Sequence, residues 1–119
     1  MKIAITSQGQ DLNSQMDPRF GRAAFILIVD TDCPKLEVID NEENINAFKG
    51  AGIQAAAMIS KRGAEVLLTG YCGPNAYKTL QAAGVKVVGD VTGTVKDAVD
   101  AFNEGNVAYA DSANVDAHW

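Results

Sequence analysis

The chain has 119 residues, a formal net charge of −5 at pH 7, 47% hydrophobic and 21% charged residues. That size supports one hydrophobic core without disulfide or metal staples, and the apolar content argues against extensive disorder. The acidic balance argues against general nucleic-acid binding, which needs a basic face to neutralise phosphates, so any anion site has to be local.

Residues 2–7, KIAITS, are short and β-branched and read as a buried first strand that opens the chain without a leader pattern. A polar loop, QGQDLNSQ, follows. Residues 24–30, AFILIVD, and 36–40, LEVID, read as strands joined by a short connection containing Pro34, which predicts an antiparallel hairpin. From about residue 47 the pattern turns helical, with Ile53, Ala56, Ala57 and Ile59 on one stripe and Gly63 as the C-terminal stop. The second half repeats one unit. Residues 65–69 form a strand; a helix starts at Pro74 and is closed by Gly84; residues 86–88 form the next strand. The spacing of Thr94 to Asp97 predicts a capping box at the start of the last helix, which stops before Gly105. Residues 106–119, NVAYADSANVDAHW, show no period and are expected to form a flexible tail after a single domain over 1–105.

This β-β-β-α-β-α-β-α order predicts an α/β fold: a mixed five-stranded sheet with helices on both faces and right-handed parallel crossovers in the second half. Ligands in such sheets gather beyond the carboxyl ends of the parallel strands, where the loops at 7–22, 70–75 and 89–93 should meet. No apolar run approaches the roughly 20 residues of a membrane span, so the expected location is the cytoplasm, with neither membrane nor nucleic acid as partner.

The first of those loops ends in MDPRFGRA, residues 16–23, which holds two of the chain's three arginines. Arg19 and Arg22 offer fixed charge and forked donors to an anion, Phe20 an apolar wall, and Gly21 close backbone approach. The alternative is that the arginines pair with Asp17 and other surface acids while Phe20 packs beneath the loop. Gly70-Tyr71-Cys72-Gly73-Pro74-Asn75 is a strand-to-helix turn whose N–H groups and dipole suit an anion, although a turn that needs its glycines reads the same way. Asp90-Val91-Thr92-Gly93-Thr94 repeats that geometry at the last helix. Cys72, at a helix mouth, is expected to have a lowered thiol pKa and could serve as a soft metal ligand; a partly buried turn residue is the plainer reading. Cys33 belongs at the opposite end of the sheet, roughly 20 Å away at about 3.3 Å per residue, too far for a shared metal or a disulfide. His118, the single histidine, sits beside Trp119 in the tail. No Walker loop, nucleophile–base pair or dinucleotide fingerprint stands out, so an enzyme is not expected.

KIAITS, MDPRFGRA with FILIVD, GAGIQAAAMISKRGAEVLLTG and GPNAYKTLQAAGVKV together resemble the dinitrogenase iron-molybdenum cofactor biosynthesis family over about residues 1–105. Within that family the chain is most similar to a branch whose members hold a mixed molybdenum–copper sulfide cluster without covalent attachment. The resemblance implies a three-layer α/β/α ribonuclease H-like fold with sheet order 3-2-1-4-5 and strand two antiparallel. It also implies non-enzymatic binding, carriage or storage of an anionic metal–sulfur cluster by a monomer, with an ATPase or cluster acceptor as the expected partner. Arg19, Arg22, the N–H groups around Gly73 and Gly93, and the rings of Phe20 and Tyr71 would hold such a cluster. Relatives that bind the nitrogenase cofactor use histidine or cysteine near the site, which leaves Cys72 as the one thiolate candidate here. Two other classes remain open: a nucleotide- or flavin-binding module using the first loop as a phosphate cradle, and a regulatory interaction domain.

Overall fold

The computed structural model of the protein describes residues 1–33, 35–42 and 50–113. Five strands and, among the described residues, three helices alternate as the sequence predicts. They are β1 (Lys2–Ser7), β2 (Phe25–Asp30), β3 (Leu36–Asp40), α1 (Ala51–Lys61), β4 (Ala64–Leu68), α2 (Pro74–Ala82), β5 (Lys86–Val88) and α3 (Val95–Asn103). The sheet order is β3-β2-β1-β4-β5. β2 is antiparallel to both neighbours, whereas β1–β4 and β4–β5 pair in parallel. Four strands therefore end at the same edge of the sheet, and only β2 runs back.

Alternation along the strands divides the core. Ala4, Ile26, Ile28, Leu67 and Val87 face one side, against Ala55, Ala56 and Ile59 of α1 and Leu80 of α2. Ile3, Ile5, Leu27, Val66, Leu68 and Val88 face the other, against Val95 and Ala98 of α3. Among the described helices, two thus cover one face and one covers the other, giving three layers. Ile3, Ile5, Ile26, Leu27 and Leu67 are fully buried, each worth about 1.5–3 kcal/mol relative to exposure.

The helical stripe expected from the sequence needs correction. The buried stripe of α1 is Ala51, Ala55, Ala56 and Ile59, so Ala57 is exposed and Ile53, at 43% exposure, points outward. α1 begins at Ala51 after Gly50, and the start expected near residue 47 lies outside the described residues. The beginning of the tail docks. Tyr109 bridges Val88, Ala110 N–H donates to Val87 O at 2.7 Å, and the Tyr77 hydroxyl donates to Ala110 O at 3.0 Å. Lys86 Nζ sits 5.2 Å from the Tyr109 ring centroid. Exposed backbone on an edge strand seeks a partner, and residues 109–110 supply one for β5. Pro34 in the hairpin connection, and His118 and Trp119, lie outside the described residues.

Candidate functional site

Three loops meet at the shared carboxyl edge, as expected, and the first is fastened to both others. After β1 the chain doubles back: Gln8 N–H donates to Gln15 O at 2.9 Å, and Met16 bridges Ser7. Met16 N–H then donates to Gly93 O at 2.9 Å, tying the loop to the segment before α3. Three residues later it is stitched to the turn before α2. Tyr71 N–H donates to Pro18 O at 2.6 Å and Phe20 N–H to Tyr71 O at 3.1 Å, so Arg19 pairs with Tyr71 as a short parallel bridge.

This pairing depends on small residues. A Cβ on Gly70 would lie 2.7–2.9 Å from Pro18 O, Cα and Cβ, so only glycine lets the arginine segment lie against the turn. Gly21, at φ +91°, occupies the left-handed region and packs on α1, where a Cβ would meet Gly52 N and Cα at 2.8 Å. Gly52 in turn has no room for a Cβ beside Ala76 of α2, at 2.9 Å. The MDPRFGRA segment consequently packs on the backbone of the first turn of α1, which in turn lies against the Ala76 methyl of α2.

Arg19 is half exposed, with its Nε 3.5 Å from Asp17 Oδ1; the same oxygen accepts from Arg19 N–H at 3.0 Å. Its terminal nitrogens have no partner among the described residues. Arg22 is half-buried and already engaged, so the two arginines are not equivalent. Phe20 is 7% exposed within the core under α1 and α2, which favours the reading in which it packs beneath the loop; Tyr71, at 38%, is the exposed ring. Asn41, fully buried after β3, donates through Nδ2 to Gly21 O at 3.1 Å and Ala23 O at 2.9 Å, clasping the carbonyls on either side of Arg22. Nothing in the sequence singles Asn41 out, because its partners lie about twenty positions away.

The two helix starts at this edge differ. α2 begins Gly73-Pro74 with no side-chain cap and no acidic residue in its first turn. The N–H groups of Asn75 and Ala76 have no partner among the described residues. α3 is closed: Thr94 and Asp97 form the capping box, while Val95 N–H donates to Ser14 O at 2.9 Å and Lys96 N–H to Leu12 O at 2.8 Å. Gly93 adopts φ +96°, with the Asp97 carboxylate folded over it, and Thr92 and Gly93 are both exposed. Sequence spacing reveals the box but not the loop carbonyls that take the remaining donors. An anion about 4 Å from a guanidinium as exposed as that of Arg19 gains about 1 kcal/mol in water, on the same scale as the about 0.3–1 kcal/mol of an exposed helix end. The arginine and the open helix start therefore add to one another.

Cys72 also departs from expectation. It is 2% exposed in the core with Phe20 and Ala76, and burial pushes its thiol pKa up to about 12, where the helix mouth alone predicts a lowered value. Its Sγ lies 3.8 Å from Gly73 O. Cys33 is exposed in the β2–β3 connection, at the opposite end of the sheet. Among the described residues no three His, Cys, Asp or Glu side chains gather to hold a metal ion, and no helix is long and apolar enough to cross a membrane.

An α/β sheet with an arginine-bearing, glycine-packed loop over its carboxyl edge defines a class of small domains, and the chain belongs to the dinitrogenase iron-molybdenum cofactor family, whose profile matches residues 1–105. It is similar to the orange protein of Desulfovibrio gigas, solved in its apo form, with 47% identity, 96% of each chain covered and a TM-score of 0.93. The orange proteins are the branch singled out from the sequence. A putative NifB protein from Thermotoga is 38% identical, over 96% of this chain and 97% of that one, with a TM-score of 0.83. A putative dinitrogenase from Methanocaldococcus jannaschii shares the fold at 19% identity and a TM-score of 0.70, over 94% of this chain and 96% of that one. Comparison with the curated proteins finds no match.

Proposed function

We propose that this protein binds and carries an anionic molybdenum-containing sulfide cluster, of the molybdenum–copper type that the family resemblance implies, without catalysing a reaction. The observation that carries the reading is the backbone pairing of Arg19 with Tyr71, which brings an arginine whose terminal nitrogens have no partner among the described residues onto the turn that leads into the uncapped start of α2. A cluster that brings its own sulfide ligands and negative charge needs hydrogen-bond donors and positive ends, and this edge offers them. Arg19, Tyr71, Gly73, Pro74 and Asn75 line the proposed seat; Arg22 and Gly21 hold its wall; Phe20 and Cys72 form the floor beneath. Thr92 and Gly93 flank it and contribute shape rather than donors. Cys72 is buried beneath the seat with its thiol held in the protonated form, so the hold is read as mainly non-covalent.

The nucleotide reading is weaker. The hydroxyls of the first loop are occupied locally, Ser7 Oγ with Gly9 and Ser14 Oγ with Asp11 Oδ1. We also read the architecture as ribonuclease H-like from its strand order. That name brings no nuclease activity, since β1 supplies no carboxylate. A carrier of this kind acts as a monomer that passes its cargo to an acceptor protein or an ATPase partner.

Anaerobic addition of tetrathiomolybdate and copper is expected to give visible absorption that stays with the protein on desalting. An Arg19→Ala, Arg22→Ala double variant should lose it. Equal retention by the wild type and the double variant contradicts the reading.

A further inference from the structure

Every buried polar side chain among the described residues lies at the carboxyl edge: Thr6, Ser7, Asp17, Asn41 and Thr69. Asp17 is the charged one, 4% exposed, and a buried carboxylate needs strong partners to persist. Its main chain is fixed to β1. Asp17 N–H donates to Thr6 O at 3.1 Å, Thr6 Oγ1 donates to Asp17 O at 2.6 Å, and Thr6 Oγ1 lies 3.0 Å from Thr69 Oγ1 after β4. Pro18 then restricts the backbone, and its carbonyl accepts from Tyr71. Asp17 Oδ1 therefore stands at a fixed point when it meets Arg19 N–H at 3.0 Å and Nε at 3.5 Å.

We propose that Asp17 is a positioning residue that aims Arg19: its carboxylate holds the guanidinium by the Nε edge, so that the two terminal nitrogens face outward as a planar fork. The proposal rests on the reading of Arg19 as the anion donor. A long, half-exposed side chain loses rotamer freedom on binding, and holding it at Nε removes part of that loss beforehand. The arrangement has an electrostatic consequence that distinguishes it. A carboxylate beside an anion repels it, so a site that needed positive charge alone would bind more tightly without Asp17. An aimed fork would bind less tightly.

The sign of the change is the test. Tetrathiomolybdate alone is titrated anaerobically into wild type, Asp17→Asn, Asp17→Glu, Arg19→Ala and the Asp17→Asn, Arg19→Ala double variant. Arg19→Ala is expected to weaken binding about tenfold or more, as for loss of a charge-assisted hydrogen bond. Asp17→Asn should weaken it several-fold although a negative charge is gone, and should have no further cost when Arg19 is already absent. Asp17→Glu keeps the charge, moves the carboxylate by one methylene, and should also weaken binding. Unchanged or tighter binding by Asp17→Asn, or wild-type binding by Asp17→Glu, overturns the proposal. Absence of binding by the wild type, or no loss in Arg19→Ala, overturns the cluster reading instead. Positioning is then decided in the ligand-free protein by solvent exchange of the Arg19 Nε–H: slowed in wild type and fast in Asp17→Asn if Asp17 holds it, equal in both if it does not.

Discussion

Helices α2 and α3 make a natural comparison: each has nine residues, follows a strand of the parallel ladder and starts at the same edge of the sheet. Their positive ends are used in opposite ways. At α3 the capping box and the carbonyls of Leu12 and Ser14 take the first-turn donors, and the helix end becomes the anchor that holds the arginine loop in place. At α2 a proline replaces the first donor, no side chain caps the helix, and Asn75 and Ala76 N–H have no partner among the described residues. One dipole organises the protein, and the other is the end that the proposed function assigns to cargo. A helix N-terminus after a parallel strand is thus insufficient as a sign of an anion site; what matters is whether its donors are already spent.

Substitutions should separate the two ends. The largest effect is expected from Gly70→Val, which drives a side chain into Pro18: overpacking costs about 1–3 kcal/mol of stability, and displacement of Arg19 from Tyr71 should abolish cluster retention, read by thermal melting and by absorption after desalting. Thr94→Ala removes the α3 cap and should cost about 1 kcal/mol in a denaturant melt while leaving anion affinity unchanged. Asn75→Asp should do the reverse at α2. A carboxylate in an uncapped first turn stabilises the helix by about 0.3–1 kcal/mol yet repels the anion, so the melting temperature rises as affinity falls.

Cys72 gives the smallest effect and a pH signature. Its folded thiol pKa is raised from 9.0 to about 12, so the thiol's contribution to stability is fully present below pH 9 and is lost as pH rises from there towards 12. A Cys72→Ala variant should flatten that alkaline loss. In the wild type, Cys33 should react with a thiol reagent well before Cys72, a difference that mass spectrometry of the alkylated protein resolves.

Much of this was legible in the sequence because local signals were strong. KIAITS, LEVID and KVV coincide with β1, β3 and β5, and Thr94 with Asp97 marks the start of α3. α1 was harder. AGIQAAAMISK carries alanine on several faces, so its one large β-branched residue near the start, Ile53, suggests a stripe that packing against α2 overrides. The site was legible in position but not in detail. Arg19 and the Gly73-Pro74 turn stand out, whereas the closure of α3 by Leu12 and Ser14, the clasp from Asn41 and the burial of Cys72 depend on contacts between distant segments. Such contacts also decide the fate of the tail, whose Tyr109 and Ala110 show no strand period yet complete the edge of β5.

The central claim, that cargo seats on the open end of α2 beside Arg19 and not on the closed end of α3, is tested most directly by amide chemical shifts. Tetrathiomolybdate added to the isotopically labelled apo protein is predicted to move the Asn75, Ala76 and Tyr71 amides and the Arg19 side-chain resonances, leaving Val95, Lys96 and Asp97 in place. Shifts centred on Val95–Asp97, or none at Asn75 and Ala76, would contradict the account.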